Sequence, residues 1–412
     1  MDRLGGRQRG AVVVLIAAGL LALLAMVGLA LDSGHLVLNK SRLQNTVDAS
    51  ALAAAKVLND TGSEPDATTA ARSVFDLNAA NHPELADVLS GADITVQFSN
   101  TLSPWAPGTT PANYVRVIAT DFTMWTSFTR LVGHTDTYTA ASAVAGPSAP
   151  IGLEQGNEAC DLAPMLVCGD TSEGAPGYLG YTGDNVSLLK YAAPGSPDVG
   201  PGNFQLVRLG GPGANIVREN AAGGYDECID PGSTVETQPG NDVGPITQGL
   251  NTRFGQYQGP VSSTEYPPDK VTTPPNPDLN VADDNVTVIF SDSGQPVTHI
   301  NELDYSYNEY IADLITGPYD FPSGVAKRRI LAVPFVDCSA PCEGQCTLPV
   351  LGLGCFFMLQ PANQQGGTNY VYSEFIGDCA ADGTPGPEPA PEEEAPFIYK
   401  IVLHNDPLSP DS

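Results

Sequence analysis

The chain has 412 residues and a formal net charge of −29, with only 18 lysines and arginines against 47 aspartates and glutamates. A chain this acidic repels the phosphates of nucleic acids, so we expect no nucleic-acid partner, and the surplus of acids keeps an exported protein soluble. The 43 glycines and 36 prolines predict many turns and short strands, with few long helices.

An uncharged apolar run over residues 11–31 predicts a transmembrane helix. At about 1.5 Å per residue, the run is long enough to cross the roughly 30 Å hydrocarbon core of a bilayer. The apolar part of a secretion signal is shorter, about 7–15 residues, although Gly28–Ala30 offers a small-residue cleavage site and leaves a cleaved signal as the alternative. Arginines at positions 3, 7 and 9 indicate that residues 1–10 form a cytoplasmic basic segment, which places the rest of the chain beyond the membrane.

The residues that follow predict an amphipathic continuation of this helix. Apolar residues three, four or seven positions apart draw one stripe along it: Leu36, Leu43, Val47, Ala51, Ala54 and Leu58. The run DASALAAAK supplies small, strong helix formers, so another surface can approach the helix closely. We expect the helix to end around Asn59, with Ser33-Gly34 as a candidate kink, and we assign this segment, beginning at Asp32, as an assembly helix.

The stretch RGAVVVLIAAGLLALLAMVGLALDSGHLVLNKSRLQNTVDASALAAA resembles the N-terminal part of the TadE/TadG-like proteins of the Flp (tight adherence) pilus-assembly machinery. The matching residues are Arg9-Gly10, Asp32 with Gly34, Arg42-Leu43-Gln44-Asn45, Asp48-Ala49 and Ala51–Ala55. The stretch NYVRVIATDFTMWTSFTRLVGHTDTYTAASAVAG is similar to the segments that close this module. The resemblance therefore covers about residues 7–147.

This resemblance implies a single-pass protein of the bacterial inner membrane, with its N-terminus in the cytoplasm and most of the chain in the periplasm or outside the cell. It implies other pilus-assembly or pseudopilin-like membrane subunits as partners and contact of residues 11–31 with the lipid bilayer. One departure is Leu15, which stands where members cut by prepilin peptidase carry Glu, so processing at Gly10 is not supported.

A second departure concerns the von Willebrand A domain that many TadG proteins carry. Its metal site begins with Asp-x-Ser-x-Ser, and the nearest approach here is MLVCGDTSEG, with Asp170, Ser172 and Gly174. These hard oxygen ligands form a candidate divalent-cation site, but the second Ser is missing. The alternative is a turn beside a cysteine.

Residues 32–147 are predicted to form a pilin-like α+β module. A second helix is expected over ATTAARSVFDLNAAN, followed by strands over ADITVQFSN, NYVRVIATDF and TYTAASAVA. A helix packed on a small antiparallel sheet covers all the apolar faces. Trp105, Trp125 and Phe128 are interpreted as core or interfacial aromatic residues.

Residues 148–412 are predicted to form a β-rich extracytoplasmic domain. Its expected strands are NFQLVRL, NVTVIF, RRILAVPFV, CFFML, YVYSEFI and FIYKIVL. The stretches PGSPDVGPG and STEYPPDKVTTPPNPD, and the Pro-rich acidic segment 381–397, are expected to be extended or disordered links. ETQPGNDVGPITQGLNTRF is expected to be a long ordered loop.

All eight cysteines lie in the predicted exported domain: Cys160, Cys168, Cys228, Cys338, Cys342, Cys346, Cys355 and Cys379. An even number outside the cytoplasm favours disulfides. Cys160 and Cys168 could close a short loop, and the pairing of the others stays open. The spacing in CSAPCEGQC misses the iron–sulfur pattern by one residue and is longer than usual for structural zinc.

Catalytic patterns are weak. SLLK, from Ser187 to Lys190, matches the Ser-x-x-Lys of penicillin-recognising enzymes, but the companion motifs are only approximated by Ser291-Asp292-Ser293 or missing. The five histidines fit no metalloprotease or triad spacing. Asp278, Asn280, Asp283 and Asp284 could hold calcium, although the EF-hand glycine and final glutamate are missing.

We therefore expect an α+β protein that is no enzyme and uses no cofactor or metal: a membrane-anchored component of Flp/Tad-type pilus assembly or export that presents an extracytoplasmic interaction domain. The alternative is an exported hydrolase or a cation-dependent adhesive protein that uses the N-terminal helix only as an anchor or signal. A third possibility is a protein released by cleavage after Ala30.

Overall fold

The computed structural model describes residues 9–409 apart from 82–93, 125–136, 152–156, 190–202, 231, 241, 341, 343, 366–367 and 385–397. The helices of eight or more residues are α1 (Arg9–Thr61) and α2 (Glu64–Ala80), followed by Ala214–Gly223, Val243–Asn251 and Tyr307–Thr316. The strands are β1 (Ile94–Ser99), β2 (Tyr114–Met124), β3 (Thr137–Pro147), β4 (Glu158–Ala159), β5 (Val167–Cys168), β6 (Val186–Leu188), β7 (Asn203–Val207), β8 (Thr234–Pro239), β9 (Leu279–Val281), β10 (Val288–Phe290), β11 (Ile330–Val336), β12 (Thr347–Met358), β13 (Asn363–Gln365), β14 (Thr368–Tyr370), β15 (Tyr372–Gly377), β16 (Cys379–Ala380), β17 (Gly383–Thr384), β18 (Ile398–Tyr399) and β19 (Ile401–His404). Mixed helices and sheets confirm the α+β prediction.

Helix α1 runs without a break for 53 residues. It contains no proline, and helix formers such as Leu and Ala dominate it, so nothing in the sequence interrupts its hydrogen-bond ladder. The helix passes through Ser33-Gly34 and ends at Thr61, two residues beyond the predicted Asn59. Gly62 follows with φ of 65°, the left-handed conformation that ends many helices and that glycine adopts without a steric cost.

The chain divides into two compact units. The first unit comprises residues 1–58, 64–146 and 403–412, and the second comprises residues 59–63 and 147–402. The last ten residues of the chain, which the sequence assigned to the β-rich domain, therefore belong to the first unit.

The first unit is built on a four-stranded sheet in the order β1-β2-β3-β19. The pairs β1–β2 and β2–β3 are antiparallel. Val115, Val117 and Ala119 alternate along β2 and are buried, which gives the sheet one apolar face. Helix α2 buries Ala67, Ala71, Phe75 and Ala79, one residue per turn, and Arg72 Nη2 donates to the carbonyl oxygen of Ile94 in β1 at 3.2 Å.

The end of the chain completes this sheet, because β19 pairs beside β3. Just after β19, Asp406 Oδ2 accepts a hydrogen bond from Arg116 Nε of β2 at 2.7 Å, and both side chains are buried. His404 meets the ring of Tyr114 edge-on at 5.6 Å. The predicted strand FIYKIVL is thus divided into β18 and β19, and the boundary between the two units falls within β19.

The second unit is built around β12, the longest of its described strands. Its C-terminal half pairs with β11 and β15, and its N-terminal half pairs with β8, all antiparallel. The resulting seven-stranded sheet has the order β5-β11-β12-β15-β6; β8 pairs with β12, and β7 pairs with β8.

Both faces of this sheet are covered by apolar clusters. In β11, Val333 and Phe335 lie in one cluster, while Ala332 and Val336 lie in another. Strands covered on both faces read as near-continuous apolar runs, as β11 (ILAVPFV) does.

One prediction for the second unit is wrong. The expected loop ETQPGNDVGPITQGLNTRF forms β8 and the Val243–Asn251 helix. Pro245 lies in the first helical turn, where the missing N–H has no intrahelical partner to lose. The Ala214–Gly223 helix packs closely against the backbone at Gly249. A Cβ at this position would lie 2.4 Å from the carbonyl oxygen of Arg218, so only glycine fits. Pro245 and Gly249, residue types that usually interrupt helices, therefore both fit this packed helix.

The stretch STEYPPDKVTTPPNPD, expected to be extended or disordered, contains no helix or strand and is held in place by specific contacts. Its Asp269 and Val271 are buried, and Val271 N donates to Asp269 Oδ1 at 3.0 Å. Of the predicted segment 381–397, Gly383–Thr384 forms β17, which pairs with β4. Residues 385–397 and the stretch PGSPDVGPG lie outside the described residues.

Candidate functional site

The N-terminal half of α1 presents an apolar surface that no other described part of the chain covers. From Val12 to Leu31 its large apolar side chains are 50–71% exposed. A window of 18 residues in this helix has a mean hydropathy of 2.9 and is only 6% buried. By length and composition, this is the one helix in the described part of the chain fit to cross a membrane.

The C-terminal half of α1 is buried on one face. Five members of the predicted stripe, Leu43, Val47, Ala51, Ala54 and Leu58, are at most 4% exposed, whereas Leu36 is half-buried. Gln44 Nε2 donates to the carbonyl oxygen of Ser142 in β3 at 2.8 Å, which ties the helix to the sheet. The part of the stripe from Leu43 to Leu58 is thus covered by the first unit itself and is not available for direct contact with another subunit.

Asp32 directly follows the apolar run. Its side chain is 5% exposed, although the preceding Leu31 is 50% exposed. Exposed apolar side chains continue beyond Asp32 to Val37 and Leu38, which are 71% and 46% exposed, so the uncovered surface gives way to the buried stripe between Leu38 and Leu43. The candidate assembly surface of the helix is therefore its uncovered part, ahead of the buried stripe.

The structure pairs all eight cysteines. The bonds are Cys160–Cys228, Cys168–Cys338, Cys342–Cys346 and Cys355–Cys379. The short Cys160–Cys168 loop that the sequence allowed is not formed, because Cys168 in β5 lies beside β11 and bonds to Cys338 just after that strand. Three of the four bonds join residues at least 24 positions apart, so they link parts of the second unit that are distant in sequence.

The candidate cation ligands are dispersed. Asp170 is exposed and accepts a hydrogen bond from Ser172 N at 2.9 Å, and the hydrogen bonds of Ser172 lower the pKa of this carboxyl. Asp278 and Asp283 stand at opposite ends of β9, whose three residues span about 10 Å, and Asp284 accepts from Val286 N at 3.0 Å. Within the described ranges, no group of three or more acidic, His or Cys side chains could hold a metal ion.

The candidate nucleophile Ser187 lies in the short strand β6, where its carbonyl oxygen accepts a hydrogen bond from Ser373 Oγ at 3.1 Å. Lys190, the other half of the Ser-x-x-Lys pattern, lies outside the described residues, as do Trp125 and Phe128. Trp105 is half-buried.

A buried charged network was missed by the sequence analysis. Arg329 is fully buried at the start of β11, where Nε donates to the carbonyl oxygen of Met358 at 3.0 Å and Nη2 to that of Leu359 at 2.7 Å. Its guanidinium also lies 4.4 Å from the ring centre of Phe357, within cation–π range. Burial lowers the pKa of the Arg329 guanidinium. The sequence signal that could have indicated it is KRRI, in which three cationic residues directly precede an apolar strand in a chain that has only 18 lysines and arginines.

Asp269 completes this network. Its fully buried carboxylate accepts hydrogen bonds from Tyr310 Oη at 2.7 Å and from Arg329 N at 3.0 Å. Burial raises the pKa of the Asp269 carboxyl, although these hydrogen bonds work in the opposite direction. With both charged groups buried and hydrogen-bonded, the network holds the second unit together and offers no reactive group to a substrate.

The comparisons with known proteins address only the N-terminal segment. No curated protein and no solved structure matches the chain. Residues 10–57 match the family model "Putative Flp pilus-assembly TadE/G-like". The match includes the uncovered apolar run and most of the buried stripe of α1, and it stops short of β1. Residues 10–57 are therefore similar to TadE/G-like Flp pilus-assembly domains, as the resemblance predicted for this part of the chain.

Proposed function

We propose that this protein is a membrane-anchored, non-enzymatic component of an Flp/Tad-type pilus-assembly machinery. The observation that carries the proposal is the division of α1: the matched segment joins an uncovered apolar run to a buried stripe within one helix. The first half anchors the chain and meets neighbouring membrane subunits. The second half packs against the sheet of the first unit and forms part of its core.

The second unit is the interaction domain in this proposal, held outside the cytoplasm. Four disulfides support an oxidising compartment, because such bonds form and persist in the periplasm or outside the cell. Basic residues before the apolar run support a cytoplasmic N-terminus. Together they support an inner-membrane protein whose bulk lies in the periplasm.

The test is to isolate the full chain from membranes of its own host after mild crosslinking and to identify its partners and its N-terminus by mass spectrometry. The proposal expects an uncut apolar segment and other subunits of the pilus machinery among the partners. A soluble product that begins near Leu31, without such partners, would contradict it.

Variants separate the proposal from the exported-hydrolase alternative. Leu20→Asp places a charge in the uncovered run and should release the chain from the membrane and from its partners, whereas Ser187→Ala and Asp170→Ala should leave assembly unchanged. Leu77→Asp, in an exposed position of α2, is the matched control for an added charge. Loss of a hydrolytic activity in Ser187→Ala or Asp170→Ala would favour the alternative.

A further inference from the structure

A polar cavity of about 430 Å³ lies in the second unit, between the β9–β10 hairpin and the residues that follow β12. This volume falls within the range of small-molecule pockets, roughly 300–1,000 Å³. Five of its lining residues carry side-chain amides: Asn251, Gln256, Asn280, Gln360 and Asn363. Asp278 adds a carboxylate and Ser291 a hydroxyl, and neither a cation nor an aromatic ring is among the described lining residues.

Two of the amides are held rigidly by paired hydrogen bonds to the backbone. Gln360 is 4% exposed, accepts from Leu279 N at 2.7 Å and donates to the carbonyl oxygen of Leu279 at 3.0 Å. Asn251 accepts from Ala362 N at 2.7 Å and donates to the carbonyl oxygen of Ala362 at 3.2 Å. A carboxamide has two N–H groups and two lone pairs, so each pair of bonds uses one donor and one acceptor and fixes the orientation of the amide.

The lining selects against charged ligands. An anion would meet Asp278 without a compensating cation, in a protein whose net charge is −29. A lone carboxylate among neutral amides is also a poor match for a fully charged cation, which would have to lose most of its hydration. The cavity is therefore suited to a neutral ligand that forms many hydrogen bonds.

A hydroxyl group both donates and accepts hydrogen bonds, as a carboxamide does. A ring that carries several hydroxyl groups is therefore complementary to the amide-rich lining of the cavity. The C–H groups of such a ring can pack on Pro274 and Pro361. We propose that the cavity binds a neutral saccharide of one or two rings, with Gln256 and Asp278 as its accessible hydrogen-bonding side chains. This proposal does not depend on the pilus-assembly role, since every residue it uses lies in the second unit.

The test is saturation-transfer difference NMR on the full chain in lipid nanodiscs, which avoid detergents with sugar headgroups. The probes are glucose, galactose, mannose, N-acetylglucosamine, maltose and cellobiose. Glucuronate and inorganic phosphate serve as anionic probes, and N-acetyl-alanine amide serves as a peptide probe. We expect transfer to at least one neutral sugar and none to the anions.

The decisive variant is Gln256→Ala combined with Asp278→Ala. Both side chains are exposed, so the fold should persist, and the affinity for the sugar should fall at least about tenfold because two hydrogen bonds are lost. Gln295→Ala with Asp283→Ala is the matched control, as both residues are exposed on or just after the same hairpin and lie outside the cavity lining. Transfer to none of the sugars, unchanged transfer in the cavity variant, or transfer to the peptide probe alone would overturn the proposal.

Discussion

The two units of this chain are stabilised in different ways. The first contains no cysteine, and its core is formed by one face of α1, by α2 and by a sheet whose side chains alternate in burial. The second contains all eight cysteines, and three bonds between distant positions and fully buried Arg329 hold a larger sheet. Local periodicity explains the helices and strands β1 to β3 of the first unit, which also uses a distant contact between Arg116 and Asp406. Contacts between distant parts of the chain explain most of the second unit. Variants in each unit test this contrast.

The largest effect is expected from removing the disulfide that closes the longest loop. Cys168→Ser with Cys338→Ser opens a bond with a sequence separation of 170 and should lower the free energy of unfolding of the second unit by about 5 kcal/mol. Cys342→Ser with Cys346→Ser opens a bond with a separation of 4 and should cost only about 2 kcal/mol. Urea unfolding followed by hydrogen exchange measures both units in one sample. Equal losses for the two pairs, or lost protection in the first unit, would contradict the contrast.

Arg329→Met should destabilise the second unit by about 4 kcal/mol, because it removes the donors of several buried carbonyl groups and the positive charge that favours the ionised form of the buried Asp269 carboxyl. Arg208→Met is the matched control. Arg208 is partly exposed, and its Nη1 lies 3.8 Å from Glu236 Oε2, a surface pair that contributes about 0–1 kcal/mol. Thermal unfolding distinguishes the two variants, and a similar loss of stability in both would show that the buried network has no special weight.

Leu43→Ala probes the first unit in the same way. Leu43 is fully buried in the stripe of α1, so its truncation should cost about 3 kcal/mol and should reduce hydrogen-exchange protection only in the first unit. Leu77→Ala removes the same atoms from a side chain that is 67% exposed and should change stability by less than about 0.5 kcal/mol. If protection were lost in both units, the two would not be independent in stability.

Glu374 gives the second unit the smallest predicted effect, a dependence on pH. Burial raises the pKa of this carboxyl to about 7, with a further contribution from nearby Glu309, although Tyr307 N donates a hydrogen bond to it at 2.8 Å. Because the folded state holds this proton more tightly than the unfolded state, the stabilisation is fully present at a pH below the carboxyl's ordinary pKa. It is lost as the pH rises through about 7.

The free energy of unfolding should therefore fall on the order of 2 kcal/mol between about pH 4.5 and pH 8, and Glu374→Gln should flatten that slope. Urea unfolding across this range measures it. A wild-type profile that rises with pH, or a slope that persists in Glu374→Gln, would contradict the assignment.

The sequence revealed what depends on neighbouring residues. The stripe from Leu43 to Leu58 follows the period of a helix, and the alternation around Val115 and Val117 follows the period of a strand, so their elements could be predicted. Pairing of Cys168 with Cys338 could not be predicted, because it depends on β5 lying beside β11, which no local pattern encodes. The same holds for Asp406, whose partner Arg116 lies 290 positions earlier in the chain.

Composition is a poor guide for residue types that occur both in loops and in packed helices. Pro245 and Gly249 look like helix breakers, yet one stands in a first turn and the other at a close contact between helices. The candidate cation ligands Asp278 and Asp283 are near each other in sequence, yet a strand holds them apart. The amide-lined cavity carried no sequence signal, since Asn251, Asp278 and Gln360 come from distant segments.

We expect the uncovered half of α1 to contact other membrane subunits, while its buried half packs within the chain's own first unit. The most direct measurement is photocrosslinking in the host cell, with a photoreactive residue placed at Leu20 or at Leu43. We predict crosslinks from position 20 to other subunits of the pilus machinery and only intramolecular crosslinks from position 43. Crosslinks to those subunits from position 43, or none from position 20, would contradict the claim.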